Sequence, residues 1–241
     1  MKILEAFSKF AHEYNQYNVI QKDVAKKLIS YFQKRNYKKV LDLGSGDGEV
    51  YRNLVDNNIE VEEFVALDFS EKMLEIHPGG EFVRKVCLDF NKVDTLSKIS
   101  SDKFDVLISS SALQWSEDLS SVLSHLSSLA NEYYFSFFTS NTFRRIHKTA
   151  KISSPIYSKK EIINALNRTF IYEFEVKSYQ LEFKSVHEML RYIKKSGVSG
   201  GVEQLSYRQM KTLMLEYPLS YLEFEVMFVK VTGKLENIAF Q

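Results

Sequence analysis

VLDLGSGDGEVYRNL, Val40 to Leu54, decides how this chain folds. An apolar run stops at Gly44, glycine recurs at Gly46 and Gly48, and an amphipathic stretch follows. Glycines there let the backbone turn sharply off a strand and approach a ligand closely before a helix begins. KKVLDLG (38–44) therefore reads as a buried strand and DGEVYRNLVDNN (47–58) as a helix, with Val50, Leu54 and Val55 on one face. Outward from this turn, strand signals recur at VEEFVALDF (61–69), EFVRKVCLDF (81–90), FDVLISSSALQW (104–115) and EYYFSFFTS (132–140). Between them, SEKMLEIH (70–77) opens with a Ser/Glu helix cap, and EDLSSVLSHLSSLA (117–130) places apolar residues at 119, 122, 123, 126 and 129. Strands alternating with helices predict a parallel sheet with right-handed crossovers. After residue 150 the pattern changes. Helical SKKEIINALNRTF and SVHEMLRYIKKSG flank an alternating run, IYEFEVKSYQLEF, and YLEFEVMFVKV (221–231) forms a last strand. Two long extended runs separated by a helical insert predict an antiparallel addition to one sheet edge.

The 241 residues suit one domain, with 44% hydrophobic and 26% charged residues. No apolar run approaches the roughly 18 residues a membrane span needs. The first residues, MKILEAFSKFAHEY, are amphipathic, carry Glu5 and Glu13, and lack the apolar region of a secretory signal. Cys87 is the only cysteine, so neither an intrachain disulfide nor a thiolate metal cluster is expected. These absences predict a reducing cytoplasm, and a monomer is expected. The C-terminal ENIAFQ partly resembles a viral-protease cleavage sequence and carries no functional weight. Net charge is +1 but unevenly spread. Residues 1–39 hold nine Lys/Arg against three Asp/Glu, residues 40–140 seven against eighteen, and residues 141–160 six against none. Two basic stretches flanking an acidic middle are either solvated faces or a docking surface for an acidic partner.

Which ligand needs the glycine turn follows from its flanks. No Gly-Lys-Ser/Thr follows, which excludes a P-loop. The dinucleotide fingerprint is G-x-G-x-x-G, whereas here G-x-G-x-G runs into Glu49, whose charge would repel a pyrophosphate. Asp42 precedes the first glycine, Asp68 ends the second strand and Asp89 the third. Carboxylates at the tips of adjacent strands ring the crevice where open α/β sheets bind ligands. Such a ring suits a cation bearing a ribose diol and an adenine amine but no phosphate, a description S-adenosylmethionine fits. Asp68 would accept both ribose hydroxyls and Asp89 the adenine amine. Asp42 would order the glycine loop or receive the amino group through water.

The set VLDLGSGDG, ALDFS, CLDF and FDVLISSSALQW resembles the motif series of class I S-adenosylmethionine-dependent methyltransferases over residues 38–140. That resemblance implies a Rossmann-like seven-stranded, mostly parallel sheet whose last strand is antiparallel. A closer likeness covers most of the chain. FSKFAHEYNQYNVIQKDVAKKL (7–28), SSALQW (110–115), FTSNTF (138–143), IKKSGVSGG (193–201) and YPLSYLEFEV (217–226) are similar to the malonyl-[acyl-carrier protein] O-methyltransferases of biotin synthesis. Ser45 and Ser110 depart from that pattern, standing where many relatives have cysteine and asparagine. Residues 1–37 would form a helical lid, 38–140 the cofactor core, and 141–241 the substrate side with a helical insertion at 185–216.

On this resemblance the cofactor pocket takes the loop residues Gly44, Ser45, Gly46 and Gly48 with Asp42 beneath them. It takes Asp68, Phe69 and Met73 after the second strand, Asp89 and Phe90 after the third, and Ser109 and Ser110 after the fourth. Tyr14 and Gln21 would cover it from the lid, with Tyr17, Gln114 and Trp115 walling the substrate channel. The implied reaction esterifies the free carboxyl of a malonyl thioester and leaves S-adenosylhomocysteine. That carboxyl is ionised at pH 7, so no acid or base residue is required, and none arranged as a nucleophile pair is evident. Arg144 or Arg145 would hold it by bidentate contact. The five histidines are scattered, and no metal is expected. The implied partner is an acyl-carrier protein carrying malonyl-phosphopantetheine, received by basic segments 22–39 and 144–160; neither nucleic acid nor membrane is expected. Three other readings are a methyltransferase of a small acid or quinone precursor, a non-catalytic cofactor-binding assembly or regulatory protein, and a nicotinamide oxidoreductase.

Overall fold

A computed structural model describes residues 17–96, 99, 101–195 and 205–235. Tyr14 and the ENIAFQ terminus lie outside the described residues. The apolar runs do form strands: β1 (Asn36–Leu43), β2 (Glu60–Asp68), β3 (Val83–Cys87), β4 (Phe104–Ser110) and β5 (Ala130–Phe138). They pair in parallel, β2 with β3, β1 with β2 and β4, and β4 with β5. β6 (Phe170–Glu182) and β7 (Tyr221–Lys234) complete one sheet of order β3-β2-β1-β4-β5-β7-β6. β7 is antiparallel to both its neighbours, so it alone runs against the other six. The last strand is thus reversed as expected, but it lies between β5 and β6, and β6 forms the edge.

Both faces of the sheet are covered, which is why the central strands are continuously apolar rather than alternating. Phe64 and Ala66 of β2 with Phe224, Val226 and Phe228 of β7 feed one core; Val65 and Leu67 with Met227 and Val229 feed the other. The first core is closed by α1 (Val19–Ile29), α2 (Glu49–Asp56), α3 (Glu71–Ile76), α6 (Arg144–Ala150), α8 (Val186–Lys195) and α9 (Tyr207–Glu216). The second is closed by α4 (Val93–Leu96), α5 (Leu119–Leu126) and α7 (Lys159–Leu166).

Two sequence expectations need correction. Val50 and Leu54 of α2 are buried, but Val55 is 56% exposed and Asn53 takes the buried place beside Leu54. Three and four residues separate neighbours on a helical face; five do not. β3 ends at Cys87, so Asp89 lies in the turn beyond it, where its Oδ1 accepts from the backbone N and the Nδ2 of Asn91, both at 3.0 Å. A carboxylate bonding its own backbone two residues on favours a turn over a strand.

Candidate active site

At the C-terminal tips of β1, β2 and β4 the glycine turn adopts left-handed backbone at all three glycines, with φ of 76°, 53° and 93° at Gly44, Gly46 and Gly48. The N–H groups of Gly44 and Ser45 both donate to Leu67 O, at 2.8 and 2.9 Å, which stitches the turn to β2. Space as well as backbone conformation demands glycine at two positions. A Cβ on Gly44 would lie 2.2 Å from Ala112 Cβ, and one on Gly48 2.5 Å from Pro78 Cδ. The loop after β4 and the His77–Pro78 turn after α3 therefore press on the glycine turn from two sides.

The turn opens into a cavity of about 220 Å³ lined by five carboxylates: Asp47, Glu49, Asp68, Asp89 and Glu117. No Lys or Arg lines it among the described residues. Asp68 is held in place by two backbone donors, Gly46 N to Oδ2 and Ser70 N to Oδ1, each at 2.9 Å. Burial pushes its carboxyl up to about 6, although the bonds from Ser70 and Gly46 pull the other way. Asp42 is fully buried behind the lining, neither oxygen has a hydrogen-bond partner, and burial with the nearby Asp68 raises it well above the usual carboxylate range. It sits beneath the site, next to Asp68.

Asp47 and Glu49 share Arg52, whose Nη1 lies 3.5 Å from Asp47 Oδ2 and 3.0 Å from Glu49 Oε1. Asn18 Nδ2 reaches Asp47 Oδ2 from α1's N-terminus at 3.3 Å. Across the cavity, Asn91 Oδ1 accepts from Glu117 N at 2.9 Å, tying the turn after β3 to the loop after β4. Apolar walls come from Met73, Phe69, Phe90 and Trp115, while Gln21 faces the cavity from α1. Ser45 and Ser110 also line it.

Other residues expected at the site stand elsewhere. Ser109 Oγ donates to Leu43 O at 2.8 Å and links β4 to β1 inside the core. Gln114 is buried, with Nε2 donating to Ser111 O at 2.6 Å. Tyr17 packs its ring against Tyr192 of α8, with centroids 6.2 Å apart. None of these three, nor Asp42 or Gly48, lines the cavity. The sequence reading assigned no ligand role to Asn18, Asp47, Asn91, Ser111 or Glu117. Asp47 sits between the paired glycines, where its position was a usable signal. Asn18 and Glu117 arrive by long-range packing and left none.

A second cavity, of about 510 Å³, lies after β5 and is lined by Ser140, Arg144, His147, Ser154, Tyr157 and Glu161 among others. Tyr157 of this lining reaches toward the loop after β4. Its hydroxyl donates to Ser116 O at 2.7 Å, and the neighbouring Glu117 lines the acid-walled side. Buried His147 Nδ1 and Ser154 Oγ have no partner, and burial lowers the His147 pKa. Glu161 is spoken for, accepting from Ser158 N at 2.7 Å in a helix cap. Arg144 and Arg145 are placed differently. The loop before α6 is pinned to β7 through Thr139 Oγ1, which donates to Glu225 Oε1 at 2.6 Å, and through Phe143 N, which donates to Glu223 O at 2.9 Å. Phe143 is held at φ 58°; a bulky residue in that region is strained and persists only where packing over-determines it. This fixes Arg144 on the cavity side, whereas Arg145 N donates to Glu223 Oε1 at 2.6 Å. No group of His, Cys, Asp or Glu among the described residues is placed to hold a metal ion. No helix there is long and apolar enough to cross a membrane.

Residues 41–132 match the family described as "Methyltransferase domain". Among curated proteins, the chain is 27% identical over 229 residues to the malonyl-[acyl-carrier protein] O-methyltransferase of Bacillus cytotoxicus, covering 86% of this chain and 79% of that one. The fold is shared with the YcgJ protein of Bacillus subtilis, at a TM-score of 0.62, 13% identity, and 86% and 97% coverage of the two chains. It is also shared with the magnesium protoporphyrin IX methyltransferase of Synechocystis PCC 6803, solved with bound SAH, at a TM-score of 0.53, 14% identity, and 89% and 85% coverage. The glycine turn, the acid-lined crevice, with no lining Lys or Arg among the described residues, and the reversed β7 agree with these likenesses, and the chain is an S-adenosylmethionine-dependent methyltransferase.

Proposed function

We propose that this enzyme methylates the free carboxylate of a malonyl thioester carried by an acyl-carrier protein, the step that starts pimeloyl synthesis for biotin. The observation that carries the cofactor half is the five-carboxylate cavity, with no lining Lys or Arg among the described residues, which favours a positively charged nucleoside over a phosphorylated one. When bound, S-adenosylmethionine supplies an electrophilic methyl group and leaves as a neutral thioether. Asp68 would hold the ribose diol, Asp89 the adenine amine, and the backbone of Gly44–Gly46 would lie against the amino-acid portion. Asp47, Gln21, Met73 and Phe90 would complete the enclosure, with Trp115 closing the methyl side.

The acceptor half rests on the names of the curated relatives and on the second cavity. Its Arg144 guanidinium, His147 Nδ1 and Ser154 Oγ, without partners among the described residues, would offer a carboxylate hydrogen-bond and charge partners. An ionised carboxylate is already a nucleophile at neutral pH, so the protein's work is alignment and exclusion of water. Tyr157, which lines the second cavity and bonds the backbone beside Glu117 of the first, would help set that alignment.

The test is incubation of the protein with methyl-labelled cofactor and malonyl-carrier protein, with malonyl-CoA and free small acids in parallel. Label in the acyl group as a base-labile ester is the expected result. Label confined to free small acids would assign the enzyme to the other acceptor class.

A further inference from the structure

α9 is an anomaly on an otherwise well-covered first core. It buries Leu213 but leaves Tyr207 at 85% exposure and Leu215 at 73%, with Met210 and Met214 also exposed. Of the ten large hydrophobic residues exposed among those described, these four fall within a single ten-residue helix. Positions 207, 210 and 214 follow the three- and four-residue spacing of one helical face, and Lys211 lies between them on it. Such a patch on a helix already anchored on its other side marks an interaction site. Its surroundings define the partner. α9 lies against α6, where Gln209 Nε2 donates to Ala150 O at 3.4 Å. Arg208 and Lys211 of α9, with Lys148 and Lys151 at the end of α6, are all exposed, and none forms an ion pair among the described residues. Neither helix carries an acid except Glu216 at the end of α9.

We infer that the α6–α9 face docks the protein that carries the acyl thioester, through an acidic helix whose apolar side seats on Met210, Met214, Tyr207 and Leu215. The inference rests on the carrier-protein reading above and gives it a location. Methionine suits the role, since a flexible, polarizable side chain adapts to a partner's surface. Unpaired basic side chains around an apolar centre supply steering and register at the rim, while the centre supplies contact area. The face is continuous with the second cavity, because α6 begins at Arg144 on the cavity's wall. A substrate arm entering there runs toward Tyr157 and the cofactor crevice without crossing the sheet.

The experiment compares malonyl-carrier protein with malonyl-CoA, which presents the same acyl group without a protein surface. For the double variant Arg208→Glu/Lys211→Glu, kcat/KM with the carrier protein is expected to fall by about 30-fold at low salt, less at high salt, while that with malonyl-CoA changes by less than about twofold. Met210→Ser/Met214→Ser should reproduce the selective loss without the salt dependence. If the unaltered enzyme uses the carrier-protein substrate and neither variant lowers it selectively, the docking assignment is overturned and the function stands. If the variants lower both substrates alike and change the sedimentation of the enzyme itself, the face joins two copies of this chain, which also overturns it. If the unaltered enzyme methylates neither substrate, the carrier-protein reading fails first and the docking face falls with it.

Discussion

The chain has two basic stretches of similar charge, and folding treats them in opposite ways. In the first, Lys22, Lys27, Lys34 and Lys39 lie close to Glu49, Glu175, Glu132 and Glu63, acids that come from α2, β6, β5 and β2. Tyr31 adds a hydrogen bond to the same Glu175. In the second, the cations of α6 form no ion pair among the described residues and are joined by two more from α9. A run of positive charge in a sequence is therefore not a docking surface until the fold shows whether its own acids answer it. The first stretch was expected to receive the carrier protein as well, but much of its charge is already met inside the molecule. The acid-walled crevice divides in the same way: Asp47 and Glu49 are answered by Arg52, whereas Asp68, Asp89 and Glu117 form no ion pair among the described residues.

The most damaging change would be Gly44→Ala in the crevice. It forces a side chain against Ala112 at a backbone position unfavourable to any other residue, and cofactor affinity by calorimetry should fall by about 100-fold or more. Adding Ala112→Gly should restore part of the loss by removing the facing methyl group; no rescue would mean that conformation, not contact, dominates. Asp68→Ala should weaken cofactor binding by about 1–3 kcal/mol through lost hydrogen bonds. Unchanged affinity would remove Asp68 from the binding set. Arg144→Ala should raise KM for the malonyl acceptor by about tenfold or more and leave cofactor affinity unchanged, whereas Arg145→Ala should do neither.

A gentler probe is pH. Asp68 titrates near 6, so affinity for a cationic cofactor should be steady above that value and fall by up to about tenfold per unit below it. The stability of the cofactor-free protein should move oppositely. A carboxyl whose folded pKa is raised stabilises the fold in its protonated form, fully below its ordinary value of 3.8, and that contribution is lost as pH rises through about 6. Asp42, raised in the same direction, adds to this slope. Thermal unfolding and calorimetry across pH 4–8 should therefore give curves of opposite sign; parallel curves would show that Asp68 does not face the ligand. The smallest effect is expected from the first basic stretch. Lys27→Glu/Lys34→Glu should alter carrier-protein kcat/KM by less than about twofold, since exposed paired charges contribute little. A loss matching that of the α9 variants would erase the contrast between the two stretches.

The crevice was legible because its parts are local. A strand ending at Gly44, an acid ending β2 and an acid just past β3 all lie within short windows, and strand alternation brings them to one sheet edge. Val55 was misplaced on α2 because an apolar residue next to Leu54 looks like part of the buried stripe until the helix's rotation is fixed by packing. The motif places Ser109 and Gln114 at the site, yet Ser109 donates within the core and Gln114 stays behind the lining, donating to Ser111.

The sequence by itself determined the parallel sheet, its reversed strand and the turn that opens into the acid-lined cavity, because burial periodicity and glycine act over a few residues. Only the tertiary structure decided which cations remain free, which of the two arginines after β5 faces a cavity, and that α9 carries an uncovered apolar face. Those depend on which distant side chains meet, such as the Glu223 and Glu225 contacts that pin the loop before α6. Charge neutralisation and exposure belong to pairs of surfaces, and a single chain read in order does not contain them.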